Sequence, residues 1–207
     1  MTIKTIAFDF GNVIAHFDHR IAVAKLLPFT TLDAGELFRS IYHGQPEIDY
    51  ECGRLSTEEF FRTILLESKL TCSLPQFVAA FEDIFEPNPE VCDLLPSLTP
   101  RYRLLLASNT NAAHFGKFSV QLASALHHFN ALCPSHVIGH RKPSADYFAG
   151  CQVHAEADPG ECLFIDDLPE NVDAAQKHGW LGLVYNPNRD IARQLRGMGI
   201  QFDGPIR

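Results

Sequence analysis

The sequence lacks the features that mark several large classes of protein. Acidic residues outnumber basic ones by 25 to 17, which gives a formal net charge of −8 rather than the basic surface that nucleic-acid-binding proteins need. No apolar run approaches the length that spans a membrane. The six cysteines form no Cys-x-x-Cys pair, and the first residues lack the pattern of a secretory signal. We therefore expect a cytoplasmic protein with reduced thiols, and neither nucleic acid nor a membrane as partner.

The second half of the chain alternates between short apolar runs and amphipathic segments. The apolar runs are 103–107, 131–138, 162–165 and 181–185, and the amphipathic segments are 111–127, 144–154, 169–178 and 189–197. Residues 5–8 form one more apolar run near the start. Alternation of buried strands with helices is typical of a parallel sheet that has helices on both faces. The pattern predicts an α/β fold of the Rossmann-like type.

Residues 18–85 interrupt this alternation. Segments 21–27, 32–42, 56–66 and 74–85 have helical periodicity, and none has the pattern of a strand. Ser56 followed by Glu59 is a capping box that predicts the start of one helix. We expect an all-helical insertion with a phenylalanine-rich core directly after the first strand, and then a helix around residues 91–98 that leads back into the sheet. The predicted division is 1–15 and 87–207 for the α/β core and 16–86 for the insertion.

Polar side chains follow the predicted strands where each strand ends. They are Asp9, the pair Ser108-Asn109, Lys142 in a loop before a helix, and the pair Asp166-Asp167. Ligands of parallel sheets with crossover helices bind at the carboxyl ends of the strands. Each residue alone has an ordinary explanation as a helix cap, a turn former or a surface charge. The ordered combination predicts a single functional site.

These residue types suit phosphoryl transfer. A carboxylate such as Asp9 can attack phosphorus and form an acyl phosphate, which water then hydrolyses. Two anions must approach each other in this step, so a divalent cation is needed. The oxygen ligands of Asp9 and Asp166 suit Mg²⁺, and Asp167 is placed to orient a metal-bound water.

Three further residues are predicted to bind the phosphate, and Gly11 is predicted to contribute to substrate binding. Lys142 supplies positive charge to the phosphate and to the nucleophile. Ser108 donates a hydrogen bond to a phosphate oxygen, and the backbone amide of Asn109 adds a donor at a helix start. The expected ligand is therefore a small phosphorylated metabolite.

The same residues carry a resemblance to a known family. The matching motifs are Asp9-Phe10-Gly11-Asn12-Val13, Ala107-Ser108-Asn109, Arg141-Lys142-Pro143 and Ile165-Asp166-Asp167. The chain resembles the haloacid dehalogenase superfamily, in the subgroup with a helical cap between the first and second motifs. Residues 50–56 are similar to a cap segment of that subgroup. The resemblance is nearest to bacterial sugar-phosphate phosphatases with a Gly-Asn pair, including those that act on glucose 1-phosphate, and it implies a magnesium-dependent phosphatase with Asp9 as nucleophile.

Gly11 departs from the pattern of most phosphatases of this family. They place a second aspartate at this position, and it protonates the leaving group and later activates water. The Gly11 carbonyl can still ligate the metal, but the acid/base side chain is missing, which removes a contribution of roughly 10²–10⁴-fold. We expect slower turnover and reactive substrates such as anomeric sugar phosphates. His16, or a metal-bound water held by Asp167, is a candidate for part of the proton transfer, and His16 is equally suited to a hinge.

Several alternatives remain open at this point. A 2-haloacid dehalogenase shares the aspartate nucleophile and the non-acidic residue two positions later, but it would leave Asp166 and Asp167 to repel each other without a cation. A mutase depends more strongly on the missing acid/base. A weakly active protein that binds a phosphorylated ligand is the non-enzymatic alternative. Residues 43–45 and 50–54 are candidates either for substrate contact or for docking the insertion on the core.

Overall fold

The computed structural model describes residues 2–203, which form seven strands and thirteen α-helices. The strands are β1 (Thr5–Phe8), β2 (Ala15–Phe17), β3 (Phe85–Pro87), β4 (Arg103–Ser108), β5 (Ala131–Pro134), β6 (Cys162–Asp166) and β7 (Leu181–Val184). The first five helices are α1 (His19–Leu26), α2 (Ala34–Tyr42), α3 (Gln45–Glu51), α4 (Thr57–Glu67) and α5 (Leu74–Glu82). The others are α6 (Pro89–Cys92), α7 (Leu95–Leu98), α8 (Ala112–Gln121), α9 (Ala123–Leu126), α10 (Ser135–Ile138), α11 (Ala145–Gln152), α12 (Pro169–Lys177) and α13 (Ile191–Gly197).

Five of the strands form one parallel sheet in the order β5-β4-β1-β6-β7. The central strand β1 is buried on both faces, and its side chains alternate between two hydrophobic clusters. Ile6 and Phe8 belong to the larger cluster, whereas Ala7 packs with Leu105 and Phe164 on the other face. This double burial explains why the strands are short continuous apolar runs. The predicted α/β fold is confirmed.

The insertion lies between β2 and β3, which pair antiparallel from Ala15 with Pro87 to Phe17 with Phe85. Its helices α1–α5 bury a core of their own that is rich in aromatic rings, as the sequence predicts. The β2–β3 ladder and the helix α3 were not predicted, because three-residue strands and a seven-residue helix are too short to show a period. The pair lies where the predicted boundaries fall, and the division into domains stays a prediction.

The structure corrects the length of three predicted segments. The run 131–138 is a strand only as far as Pro134, and it continues as α10, which ends at Gly139 with a left-handed φ of 84°. The segment 111–127 divides at Leu122 into α8 and α9. The helix predicted around residues 91–98 is two separate turns, α6 and α7. Among residues 2–203 no helix is long and apolar enough to cross a membrane, since the longest, α4, has 11 residues.

Two polar contacts join the insertion to the first turn of α8. The Tyr50 hydroxyl accepts a hydrogen bond from Ala113 N at 3.0 Å, and it lies 2.9 Å from Thr57 Oγ1. His114 Nε2 donates to the Phe81 carbonyl at 3.0 Å, because a carbonyl oxygen can only accept. Burial lowers the pKa of His114 to about 3, so this ring is neutral. The contacts hold the insertion over the carboxyl edge of the sheet.

Replacing Tyr50 by Phe is expected to lower the free energy of unfolding by about 1–2 kcal/mol, because Ala113 N would lose its acceptor in a buried position. Urea unfolding followed by circular dichroism measures this change. Tyr102→Phe is the matched control, since the Tyr102 hydroxyl accepts from Gln201 N at a more exposed site. A loss for Tyr50→Phe no larger than that for Tyr102→Phe would contradict the role given to this contact.

Candidate active site

The four predicted motifs meet at the carboxyl edge of the parallel sheet. Asp9 follows β1, Asp166 ends β6, Asn109 follows β4, and Lys142 lies in the loop before α11. They surround a cavity of about 290 Å³ between the sheet and the insertion. Five of the predicted site residues line this cavity: Asp9, Gly11, Asn109, Lys142 and Asp167. Asp166 and Ser108 are buried beside it.

The centre of the site is a buried cation between two carboxylates. Lys142 Nζ donates to Asp9 Oδ1 at 2.6 Å and to Asp166 Oδ2 at 2.7 Å. All three side chains are buried, so their interactions are weakly screened by water. Burial raises the pKa of Asp9 to about 7 although Lys142 pulls it down, and the charge of Asp166 adds to the rise. Burial alone would lower the pKa of Lys142, but the two carboxylates outweigh it and raise that pKa.

Asp166 is held in place by the start of α12. Its Oδ1 accepts hydrogen bonds from Leu168 N at 2.8 Å and from Asn171 Nδ2 at 3.1 Å, and Asn171 Nδ2 is also 3.0 Å from Oδ2. The sequence predictions missed Asn171. Its place in the first turn of a helix that begins at Pro169 is a signal that it faces the preceding acidic pair. These bonds aim the carboxylate at Lys142 and at Asp9.

Asp9, Asp166 and Asp167 form a cluster that fits a divalent cation. One carboxylate oxygen from each lies within 4.8 Å of the others. Asn12 donates to Asp167 Oδ2 at 2.9 Å, from a backbone position with φ of 57° that asparagine tolerates well. When ionised, the three carboxylates exceed the single charge of Lys142 by two. Oxygen ligands with this excess of negative charge suit Mg²⁺.

The side chain of Asn109 binds the backbone of Lys142. Its Oδ1 accepts from Lys142 N at 2.8 Å, and its Nδ2 donates to Lys142 O at 3.0 Å. The amide group therefore positions the lysine loop, and the predicted contact of the Asn109 backbone with phosphate stays a prediction. Ser108 is 1% exposed, and its Oγ has a long hydrogen bond of 3.4 Å to the Asn109 carbonyl. Its predicted bond to phosphate requires the hydroxyl to turn towards the cavity.

The space beside Gly11 is filled by an aromatic ring. A Cβ atom at Gly11 would lie 2.7 Å from Phe17 Cε1, closer than such contacts permit. Phe17 also lines the cavity, so its ring stands where a side chain at position 11 would project. His16, the predicted candidate for proton transfer, is exposed on β2 and does not line the cavity.

The outer wall of the cavity comes from the insertion. We use "outer wall" for His19 of α1, Glu47 and Glu51 of α3, and Arg141 beside Lys142. Glu51 falls in segment 50–54, which was predicted as a candidate for substrate contact, whereas residues 43–45 of the other candidate segment do not line the cavity. His19 and Glu47 line it but were not predicted from the sequence. Burial raises the pKa of Glu47 to about 8, with a further rise from Glu51 that Arg141 partly offsets. Burial lowers the pKa of His19 to about 4.

The raised pKa of Glu47 predicts a pH-dependent contribution to stability. The folded protein holds this proton up to about pH 8, whereas the unfolded chain releases it near the ordinary pKa of 4.5. The contribution is therefore full below about pH 4.5 and is lost as the pH rises towards about 8. Relative to Glu47→Gln, the wild type should lose free energy of unfolding across this range, as urea titrations at several pH values will measure. A difference between the two proteins that stays constant with pH would contradict this.

Comparisons with known proteins identify relatives of this chain. A family model for haloacid dehalogenase-like hydrolases matches residues 3–179. The chain is 28% identical over 186 residues to the D-ribitol-5-phosphate phosphatase of Bacteroides thetaiotaomicron, which covers 86% of this chain and 89% of that protein.

Two solved structures share the fold. A HAD-like family hydrolase from Porphyromonas gingivalis has a TM-score of 0.79 and 28% identity, with 95% of this chain and 99% of that chain covered. A HAD family enzyme from Bacteroides thetaiotaomicron, solved in complex with magnesium and inorganic phosphate, has a TM-score of 0.79 and 23% identity, with 92% and 98% covered. Because the family model spans most of the sequence, the resemblance is confirmed: the chain belongs to the haloacid dehalogenase-like hydrolases.

Proposed function

We propose that this protein is a magnesium-dependent phosphatase that hydrolyses a small phosphate monoester through an aspartyl-phosphate on Asp9. The cluster of Asp9, Asp166 and Asp167 around Lys142, at the floor of a cavity, carries the proposal. The relative that acts on D-ribitol 5-phosphate supports a phosphatase, and the related structure with magnesium and inorganic phosphate supports the metal.

The nucleophile is prepared by its contacts. The bond from Lys142 to Asp9 Oδ1 fixes the carboxylate and favours its charged form. Asp9, Asp166 and Asp167, with the Gly11 carbonyl, would hold Mg²⁺, which would supply positive charge to offset the repulsion between Asp9 and the phosphate. Lys142 also attracts the phosphate oxygens from its buried position.

The reaction has two balanced steps. A carboxylate oxygen of Asp9 attacks phosphorus, the bond from phosphorus to the leaving oxygen breaks, and the leaving group takes up a proton from solvent. Water then attacks phosphorus and gives up a proton to solvent, the bond from phosphorus to Asp9 breaks, and inorganic phosphate leaves with Asp9 restored as a carboxylate. Lys142 keeps its charge throughout and balances Asp9 and Asp166.

The proton for the leaving group has no donor at position 11. Phe17 fills that space with a hydrocarbon ring, so no side chain at position 11 protonates the leaving oxygen as a basic alkoxide departs. A hemiacetal oxygen is more acidic than an ordinary alcohol, and it leaves more readily. This favours anomeric sugar phosphates among small phosphate esters.

The dehalogenase alternative rests on the same Gly11. A carboxylate that displaces halide from carbon needs no metal, whereas three carboxylates in one cluster carry more negative charge than Lys142 balances and need a further cation to remain ionised together. The cluster therefore favours a phosphatase over a dehalogenase. Halide release from a 2-haloacid would instead favour the dehalogenase.

Asp9→Asn should abolish magnesium-dependent phosphate release from an aryl phosphate, because an amide cannot act as the nucleophile. Phosphate is measured against Mg²⁺ concentration, with Asp173→Asn, an exposed aspartate of α12, as the matched control. The control should retain wild-type activity. Activity in Asp9→Asn equal to that of the control, or wild-type hydrolysis that is independent of added metal and unaffected by chelator, would contradict the proposal.

Gly11→Asp alone is expected to give no gain in kcat and to lower the free energy of unfolding, because the new side chain meets the Phe17 ring. Combined with Phe17→Ala, the aspartate has room. The double variant should then exceed Phe17→Ala in kcat for an alkyl phosphate by about tenfold or more, within the range of general acid catalysis. The single variants and the double variant are compared in steady-state assays and in thermal unfolding. Equal kcat in Phe17→Ala and in the double variant would show that Phe17 is not what excludes an acid here.

A further inference from the structure

The outer wall presents one buried polar atom, His19 Nδ1, that no group among residues 2–203 satisfies with a hydrogen bond. Glu51 Oε2 is buried as well, and its partner is the guanidinium of Arg141. The His19 ring is fixed by stacking on Tyr42, with ring centroids 3.9 Å apart. His19 and Glu51 both line the cavity, so their side chains border a ligand bound there. Buried polar groups are costly unless they find a partner, which indicates that the cavity binds polar groups on this side.

A second acidic side chain stands beside Glu51. Glu47 lies four residues earlier on α3, so the two carboxyl groups share one face of the helix, and both line the cavity. Arg141 Nη1 lies 3.1 Å from Glu51 Oε2, and Arg141 is the neighbour of Lys142 in the chain. The outer wall is thereby joined directly to the loop that holds the phosphate-binding lysine.

The protonation of these groups defines what they can bind. With its pKa raised by burial to about 8, Glu47 keeps its proton near pH 7 and offers both an O–H donor and an acceptor. His19 is a neutral ring with one donor and one acceptor, because burial lowers its pKa to about 4. Glu51 is an acceptor paired with the guanidinium of Arg141. The wall thus combines donors and acceptors without an unpaired positive charge.

Hydroxyl groups match this set, because each O–H donates and accepts at once. A carboxylate or second phosphate on the substrate offers acceptors only, so it cannot donate to the acceptor atoms of the wall. The cavity of about 290 Å³ lies just below the usual range of ligand pockets, roughly 300–1,000 Å³, which favours a short carbon chain over a nucleotide.

We propose that His19, Glu47 and Glu51 form a subsite that binds the hydroxyl groups of a small uncharged sugar or polyol, whose phosphate is held at Asp9 and Lys142. The subsite determines specificity because each hydroxyl group of the substrate forms a hydrogen bond with it. The subsite rests on the proposed phosphatase function. It binds the alcohol part of the substrate, which remains after phosphate is released.

Two substrates of equal carbon number test the subsite. Sorbitol 6-phosphate and n-hexyl phosphate both release a primary alcohol, and they differ in their other hydroxyl groups. With Mg²⁺ present, the wild type should show a kcat/KM for sorbitol 6-phosphate at least about tenfold above that for hexyl phosphate, mainly through KM.

Glu47→Leu should bring the ratio of the two kcat/KM values to about one, because leucine has similar size and no hydrogen-bonding atoms. Glu47→Gln should restore most of the ratio, since the amide both donates and accepts. Glu58→Leu, an exposed residue of α4, is the control and should keep the wild-type ratio. A merely structural role for Glu47 would lower both kcat/KM values together and leave their ratio unchanged, which would overturn the proposal, as would a wild-type ratio near one.

A binding measurement distinguishes failure of the proposed phosphatase function from failure of the proposed subsite. If the wild type hydrolyses neither ester, calorimetric titration of both into the wild-type protein with Mg²⁺ still compares their affinities. Tighter binding of sorbitol 6-phosphate that is lost in Glu47→Leu supports the subsite, and equal binding of the two esters overturns it.

Discussion

Lys142 Nζ lies between the carboxylates of Asp9 and Asp166, at 2.6 and 2.7 Å, in a place that water barely reaches. Removing one partner from such a buried group would leave an uncompensated charge at a cost of about 3–5 kcal/mol. The three residues come from the position directly after β1, from the loop before α11 and from the end of β6. Their mutual neutralisation therefore requires that these parts of the fold be assembled together, and Asn109 reinforces this by holding both backbone groups of Lys142.

The same cluster explains why the site is suited to a dianionic ligand and a metal. Asp167 brings a third carboxylate to within 4.8 Å of Asp9 and Asp166, more negative charge than one lysine balances. A divalent cation corrects the imbalance and at the same time attracts phosphate. Proton transfer is the weak part of this arrangement, because Phe17 fills the space beside Gly11 with a hydrocarbon ring. In the proposed phosphatase, a good leaving group and the proposed hydroxyl contacts of the outer wall would compensate for that weakness.

The sequence predicted those parts of the molecule that a local pattern determines. Doubly buried strands are apolar throughout, so the runs around β1, β4 and β6 were visible, and the polar residues at their ends had to share one edge of the sheet. Ser56 and Glu59 marked the start of α4 in the same way, and the capping box is present.

Other features depend on chain segments that meet only after folding. The three-residue strands β2 and β3 are stabilised by each other and have no period of their own. Glu47 reads as an ordinary exposed acid on a short helix until α3 packs against the loop of Arg141. The contact between Gly11 and Phe17 joins residues on a turn and a strand whose approach no spacing rule predicts.

The identity of the nucleophile is the central claim, and trapping the intermediate tests it most directly. The enzyme is quenched in acid during turnover of a phosphate ester with Mg²⁺, and the peptide that contains Asp9 is analysed by mass spectrometry before and after hydroxylamine treatment. The account predicts one phosphoryl group on Asp9 that hydroxylamine removes, as expected for an acyl phosphate. Turnover with the phosphoryl group on another residue, or with none trapped while product still forms in a burst, would contradict it.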